Sequence, residues 1–198
     1  MKKLLAIVCV FALVFALAAC GQTAAVTASE APAAATEAPA GASYVVGICQ
    51  LVQHPALDAA TEGFKAALTD KLGDSVSFSE QNASGDSATC AVICSQFVSD
   101  EVDLIMANAT PALQAAASAT NEIPILGTSV TDYGTALGIS DWTGASGANI
   151  SGTSDLAPLD GQADMLKELF PDAKTVGLLY CSGEPNSKFQ ADSIRKLL

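Results

Sequence analysis

An α/β fold built on a doubly wound parallel sheet is what this sequence predicts, and three observations predict it. Short apolar runs rich in β-branched residues are nearly unbroken, as in strands covered on both faces. They alternate with segments whose apolar residues fall at helical spacing, the βαβ rhythm of a parallel sheet. Between each run and the next helix lies a short polar turn ending in residues that start helices.

The first unit is the clearest. Val45, Val46 and Ile48 form the strand, Gln50 to Pro55 the turn, and Leu57, Ala60, Phe64, Leu68 and Leu72 the apolar stripe of a helix ending near Gly73. Pro55 suits a first helical turn because its φ is preset and it has no N–H to lose. Asp58 and Glu62 come early and Lys65 and Lys71 late, the order that the helix dipole favours. Val76 and Phe78 mark a second strand over 75–79, and Asp86 or Ser87 can cap a helix through Phe97. Residues 103–107, DLIMA, read as a third buried strand. Thr110 then reads as an N-cap and Pro111 as the first residue of an alanine-rich helix to about Thr120. Residues 123–129 give a fourth strand. From Val130 to Ser154 the pattern loosens around glycines 134, 138, 144, 147 and 152, with the apolar piece Ala136 to Ile139 as a candidate edge strand. A helix fits 158–170, a buried strand 175–180, a turn 181–186, and a last helix starts near Ser187. No strand follows that helix. A βαβ unit needs a returning strand, so the chain reads as truncated, and a full two-lobe protein needs on the order of 100 to 150 more residues.

Composition narrows the function. The 198 residues carry a net charge of −12. Removing residues 1–19 takes away Lys2 and Lys3 and no acid, leaving seven basic residues against 21 acidic ones. Such a chain is a poor match for nucleic acid or anionic lipid, so membrane attachment calls for a covalent anchor. Residues 1–19 look like a signal peptide: Lys2 and Lys3, an apolar stretch from Leu4 to Ala16, then Leu17, Ala18 and Ala19 before Cys20. Residues 20–43, mostly Ala, Thr, Ser, Pro and Glu, bury too little to offset ordering entropy and read as a disordered tether. Setting aside Cys9 and Cys20, four thiols remain. Cys90 and Cys94 lie one helical turn apart, and Cys49 and Cys181 end apolar strands, positions that suit small, buried, reduced side chains. With His54 the only histidine, a zinc site is not expected. No GxGxxG follows the first strand, and neither G-x-S-x-G nor G-x-x-x-x-G-K occurs, so neither cofactor nor catalytic machinery is expected.

A parallel sheet brings several turns to one edge: Gln50 to His54, Ala109 to Pro111, Ser129 to Asp132, and Ser182 to Ser187. Free N–H groups at helix starts, with the hydroxyls of Thr110 and Ser187, suit a carboxylate, and Asp132 or Asp155 can pair an ammonium group. Each residue also has a plainer role: Thr110 as a helix cap, Asp132 closing an Asx turn, His54 satisfying its own loop. Trp142 either stacks on a ligand or anchors its glycine-rich loop.

The wording GICQLVQHPALDAATEGFKAAL, the stretch QNASGDSATCAVICSQFVSDEVDLIMANATPALQAAA, and SGTSDLAPLDGQADMLKELFPDAKTVGLLYCSGEPNS resemble the ABC transporter substrate-binding lipoproteins of the tryptophan/tyrosine type. The resemblance runs from Val45 to the last residue, with LAAC before Gly21 resembling a lipobox that makes Cys20 the lipidated N-terminus. It implies a two-lobed type I periplasmic-binding-protein fold with its second lobe incomplete: a first lobe over 44–154, a crossover near 152–156, and the start of a second lobe over 155–198. It also implies a small amino-acid-like ligand between the lobes, an ABC permease subunit as partner, and a lipid-anchored extracytoplasmic location. By the family's motifs the ligand set takes in His54, Thr110 and Pro111, Thr131 and Asp132, and Gly183, Glu184, Asn186 and Ser187; Asp155 joins from the charge argument. Cys181, Pro185 and Tyr133 depart from the asparagine, alanine and proline associated with those turns. A ligand-sensing receptor of the same lobes and an exported α/β enzyme are the alternatives.

Overall fold

The computed structural model describes residues 43–198. The segments expected to be a signal peptide and a tether, with Cys20 between them, lie outside the described residues, apart from Ser43.

Five strands form one all-parallel sheet: β1 (Tyr44–Gln50), β2 (Val76–Asn82), β3 (Leu104–Asn108), β4 (Ile125–Val130) and β5 (Ile150–Ser154), in the order β2-β1-β3-β4-β5. The helices between them are α1 (Pro55–Leu72), α2 (Ser87–Ser99), α3 (Thr110–Ala119) and the short α4 (Tyr133–Leu137). Two more follow, α5 (Leu159–Leu169) and α6 (Pro185–Leu197).

The period-two alternation of a strand explains why β1 and β3 read as unbroken apolar runs. Val46, Ile48 and Met106 face the α1 side, where Phe64 and Leu68 pack on them. Cys49, Ile105 and Ala107 face the other way, into the larger core shared with α2 and α3. Both faces are covered, so neither needs polar residues. Gly47 is required by contact. A Cβ there would lie 2.7 Å from the ring of Phe97, which is fully buried on the sheet.

Three expectations fail for physical reasons. The apolar piece Ala136 to Ile139 forms no strand; Ala136 and Leu137 end α4, which Asp132 caps through the Thr135 N–H at 2.7 Å, and Gly138 is its C-cap. The edge strand is instead Ile150–Ser154, a polar segment whose pairing is carried by its backbone and by the Asn149 amide, which donates to the Ile123 carbonyl at 2.6 Å. Residues 175–180 are irregular, with Val176, Leu179 and Tyr180 exposed. A strand exists only through its ladder, and among the described residues no second sheet offers one. Cys181, expected to be buried at the end of that strand, is exposed for the same reason. The remaining pieces make a helical pair: α5 packs on α6, and Lys167 Nζ donates to the Leu197 carbonyl at 2.7 Å.

Candidate functional site

All five strands run the same way, so their carboxyl ends share one edge. Sheet order reverses between β1 and β3, and there the loops after the two strands diverge and leave a crevice. Gln50 and Asn108, opposite each other in register, close the bottom of it. Both are buried, and buried amides need partners. Thr61 Oγ1 donates to Gln50 Oε1 at 2.7 Å, Gln50 Nε2 donates to Asp58 Oδ1 at 2.6 Å, and Asn108 Nδ2 donates to Thr61 Oγ1 at 3.0 Å and the Leu57 carbonyl at 2.8 Å. This network ties the first turns of α1 to the central strands and sets where the preceding loop stands. His54 lies in that loop, exposed, and its Nδ1 accepts the Ala56 N–H at 3.2 Å as the cap of α1.

After β3 the chain turns through Ala109 at φ 98, a conformation costly for a residue with a Cβ. Ser129, near the end of the neighbouring β4, also has a positive φ, 53. Ala109, and not Thr110, is the N-cap of α3, so no side chain caps that helix. Thr110 is its first residue, 2% exposed, and its Oγ1 has no hydrogen-bond partner. Pro111, also buried, has no N–H. The start of α3 therefore offers uncapped backbone donors beside an unpartnered hydroxyl, an arrangement suited to an anion.

After β4, Thr131 is buried and its carbonyl accepts from Ser154 Oγ at 2.8 Å, while Asp132 caps α4. Tyr133 lies across the sheet. Its hydroxyl donates to the Thr153 carbonyl at 3.2 Å and sits over Gly127 and Gly152, paired in register, where added Cβ atoms would lie 2.5 and 2.1 Å from it. Burial, and then the nearby charge of Asp155, push this phenol up to about 12. Trp142 stacks on Tyr133 with centroids 6.1 Å apart and planes 14° apart, and its Cβ lies close to Gly134. The indole thus anchors the glycine-rich loop to the sheet. Asp155 is exposed, its N–H bonded to the Val130 carbonyl at 3.1 Å.

The last group of predicted residues surrounds the start of α6. Ser187 Oγ accepts the Cys181 N–H at 2.9 Å and holds the turn closed. Gly183 is exposed, Glu184 is the N-cap but makes no side-chain cap bond, and α6 begins at Pro185, two residues before the position expected. Asn186 Oδ1 is buried without a partner. Because α6 packs on α4, this turn lies on the side of the sheet edge that Asp132 occupies.

Among the described residues, cavities adjoin these turns at two places. One, about 690 Å³, is lined by Gln50, Asp58, Glu62, Glu80, Asn82 and Ser84 among others, with Lys65 bridging Glu62 at 3.1 Å and Glu80 at 2.9 Å. The other, about 310 Å³, lies between Tyr133, Trp142 and the 144–148 loop. Neither is lined by Thr110, Asp132 or Asn186. Among the described residues no cluster of His, Cys, Asp and Glu could hold a metal ion, and no helix is long and apolar enough to cross a membrane.

The family model for ABC transporter substrate binding proteins matches residues 45–198. The chain belongs to this family. A tyrosine-binding protein of Clostridioides difficile is 47% identical over 152 residues, covering 75% of this chain and 44% of that protein. The crystal structure of an ABC domain from Streptococcus pneumoniae in complex with L-Trp is similar at a TM-score of 0.72 and 34% identity, over 79% of this chain and 53% of that one. The ligand-free, open structure of a Clostridium difficile substrate-binding protein with adhesive properties gives 0.61 and 44%, over 77% and 52%. A branched-chain amino-acid binding protein with isoleucine, 16% identical with a TM-score of 0.57, shares the fold. The fold is thus the type I periplasmic-binding-protein fold, and the chain spans about half the length of these relatives.

For a substrate-binding protein of this family, sequence reasoning missed the Gln50–Thr61–Asn108 network. A polar residue ending each of two apolar strands was the available signal, but their pairing depends on a register no local pattern states. The position of Thr110 one residue inside its helix was also missed, because Ala109 is an unusual residue at positive φ.

Proposed function

We propose that this chain is the ligand-capturing component of an ABC importer, held by lipid on Cys20 at the extracytoplasmic face of the cell membrane. Residues 20–43 serve as its tether, 44–154 as the first lobe, and 155–198 as the opening of the second. Its ligand is a small amino acid, with tryptophan and tyrosine favoured by the named binding of the relatives. A permease subunit is the partner to which the ligand passes.

One observation carries the reading. The buried Thr110 hydroxyl has no partner among the described residues, yet it stands beside the uncapped N–H groups that begin α3. A ligand carboxylate satisfies all of these together, with charge-assisted hydrogen bonds. Asp132 or Asp155 receives the ammonium group, and Gly183, Glu184, Asn186 and Ser187 approach from the second lobe. His54, Pro111 and Thr131 shape the walls. A ligand touching both lobes favours the closed arrangement by its differential contacts.

Thermal denaturation with an amino-acid panel tests this, since a ligand bound only by the native state raises the melting temperature by mass action. L-Trp, L-Tyr or L-Phe should raise it, slightly for this chain and more for a chain of the relatives' length. A shift with a sugar or nucleoside and none with any amino acid would overturn the ligand class. Cys20→Ser should move the protein from the membrane fraction to the soluble one.

A further inference from the structure

Strands β4 and β5 do not pair evenly. Gly127 stands opposite Gly152 and Val130 opposite Ser154, so two residues of β4, Thr128 and Ser129, face one of β5, Thr153. This is a β-bulge, with Ser129 in the left-handed region at φ 53. The β3 side is undisturbed as far as Thr128, which pairs with Asn108 and accepts the Ala109 N–H on its carbonyl at 3.0 Å. One extra residue shifts everything after it against the neighbouring strand. Val130 thereby enters the core and the Thr131 carbonyl comes within reach of Ser154. Across that end the two segments are latched. Ser154 Oγ donates to the Thr131 carbonyl at 2.8 Å and accepts the Leu156 N–H at 3.2 Å, while the Asp155 N–H donates to the Val130 carbonyl at 3.1 Å. Asp132 and Asp155, the two candidates for the ligand's ammonium group, directly follow Thr131 and Ser154.

We infer that Ser154 is a positioning residue for the ligand edge: its hydroxyl joins the turn after β4 to the segment leaving β5 and so fixes Asp132 and Asp155 relative to each other. The assignment rests on the ligand reading proposed for that edge. The bond from the Leu156 N–H alone closes an ordinary serine turn. The bond to Thr131 differs in kind, since it spans 23 positions of the chain and ends on the backbone next to Asp132. Ser154 is exposed, whereas Thr131 is buried. Water can therefore replace the serine hydroxyl at the Thr131 carbonyl, and its loss costs little stability. Water does not tie two segments of chain together, so the positioning is lost all the same. By linkage the effect is reciprocal: an ammonium group bound at this edge draws residues 154–156 tighter against the turn. Those residues are also the proposed way out of the first lobe, so the same bond passes ligand occupancy to the crossover.

Amide exchange of the full chain, followed by NMR with and without L-Trp, tests this in the wild type, Ser154→Ala and Ser154→Thr. Without ligand, Ser154→Ala should speed exchange about fivefold, the factor for one ordinary hydrogen bond, at Asp155 and at Thr135, whose N–H is held by Asp132. Faster exchange at Leu156 alone would overturn the inference, because Ser154 would then close only its own turn. L-Trp should bind Ser154→Ala several-fold more weakly than the wild type, with the melting temperature of the free protein nearly unchanged. Ser154→Thr keeps the hydroxyl and should restore both affinity and protection. Equal affinity in the wild type and Ser154→Ala would also overturn the positioning role. A wild type that takes up no L-Trp, yet shows the expected exchange pattern without it, would defeat the ligand reading and leave the latch standing, so the two failures are told apart.

Discussion

Thr110 and Tyr133 show how one polar atom separates binding from support. The Thr110 hydroxyl has no partner in the unliganded protein, so Thr110→Val removes a buried polar group that stabilises nothing. Urea denaturation should show equal or slightly greater stability for this variant. Calorimetric titration with L-Trp should show affinity lower by about tenfold or more, as for a lost hydrogen bond of ~1.5–3 kcal/mol to a charged group. Tyr133 is the opposite case, its hydroxyl bonded to the Thr153 carbonyl and its ring stacked on Trp142. Its phenol is pushed up to about 12 in the folded protein, against about 10 in an unfolded chain. A raised pKa means that the folded state holds its proton longer. The associated stability is therefore complete below about pH 10 and declines as pH rises from about 10 to 12. Tyr133→Phe should lower stability near neutral pH by about 1 kcal/mol through the lost hydrogen bond. It should also flatten the alkaline decline, so that urea midpoints of the two proteins converge as pH rises.

Between elements, contact size decides. Helix α2 approaches β1 closely because Gly47 leaves room for the Phe97 ring. Gly47→Ala places a methyl where the ring lies, and overpacking of this kind costs about 1–3 kcal/mol. Phe97→Leu in the same protein should recover part of that loss. Equal and additive losses in a double-mutant cycle would show that the two sites do not communicate. Helix α4 carries a different lesson. Its residues Ala136 and Leu137 look like an edge strand by composition, but the Asp132 cap and the packing of Tyr133 against the sheet make the segment helical. The strand that does form the edge, β5, is nearly all polar. Backbone pairing in register with β4 and the Asn149 anchor supply what side-chain pattern does not.

At the scale of the molecule, residues 44–154 hold the whole five-stranded sheet, covered on both faces at β1 and β3, whereas residues 171–184 make no ladder and leave Val176, Leu179 and Tyr180 exposed. Limited proteolysis of the chain should cut first in 171–184 and leave 44–154 intact, since backbone without regular hydrogen bonding opens at low cost. Resistance of that segment at protease levels that cut 44–154 would show it to be held by contacts absent from the described residues. The sequence by itself determined the parallel α/β class, the first four strands and the helices between them, because apolar period, proline and cap residues act locally. It also determined that the turns after β1, β3 and β4 share the carboxyl edge, because parallel strands leave no other arrangement, whereas the turn 182–187 follows no strand. Only the tertiary structure decided that Gln50, Thr61 and Asn108 interlock, that Thr110 keeps an unpartnered hydroxyl, and that Trp142 anchors its loop. It also decided that β5 is a strand and 175–180 is not. Each of these depends on register, burial or the presence of a partner strand, and those arise between segments distant in the chain.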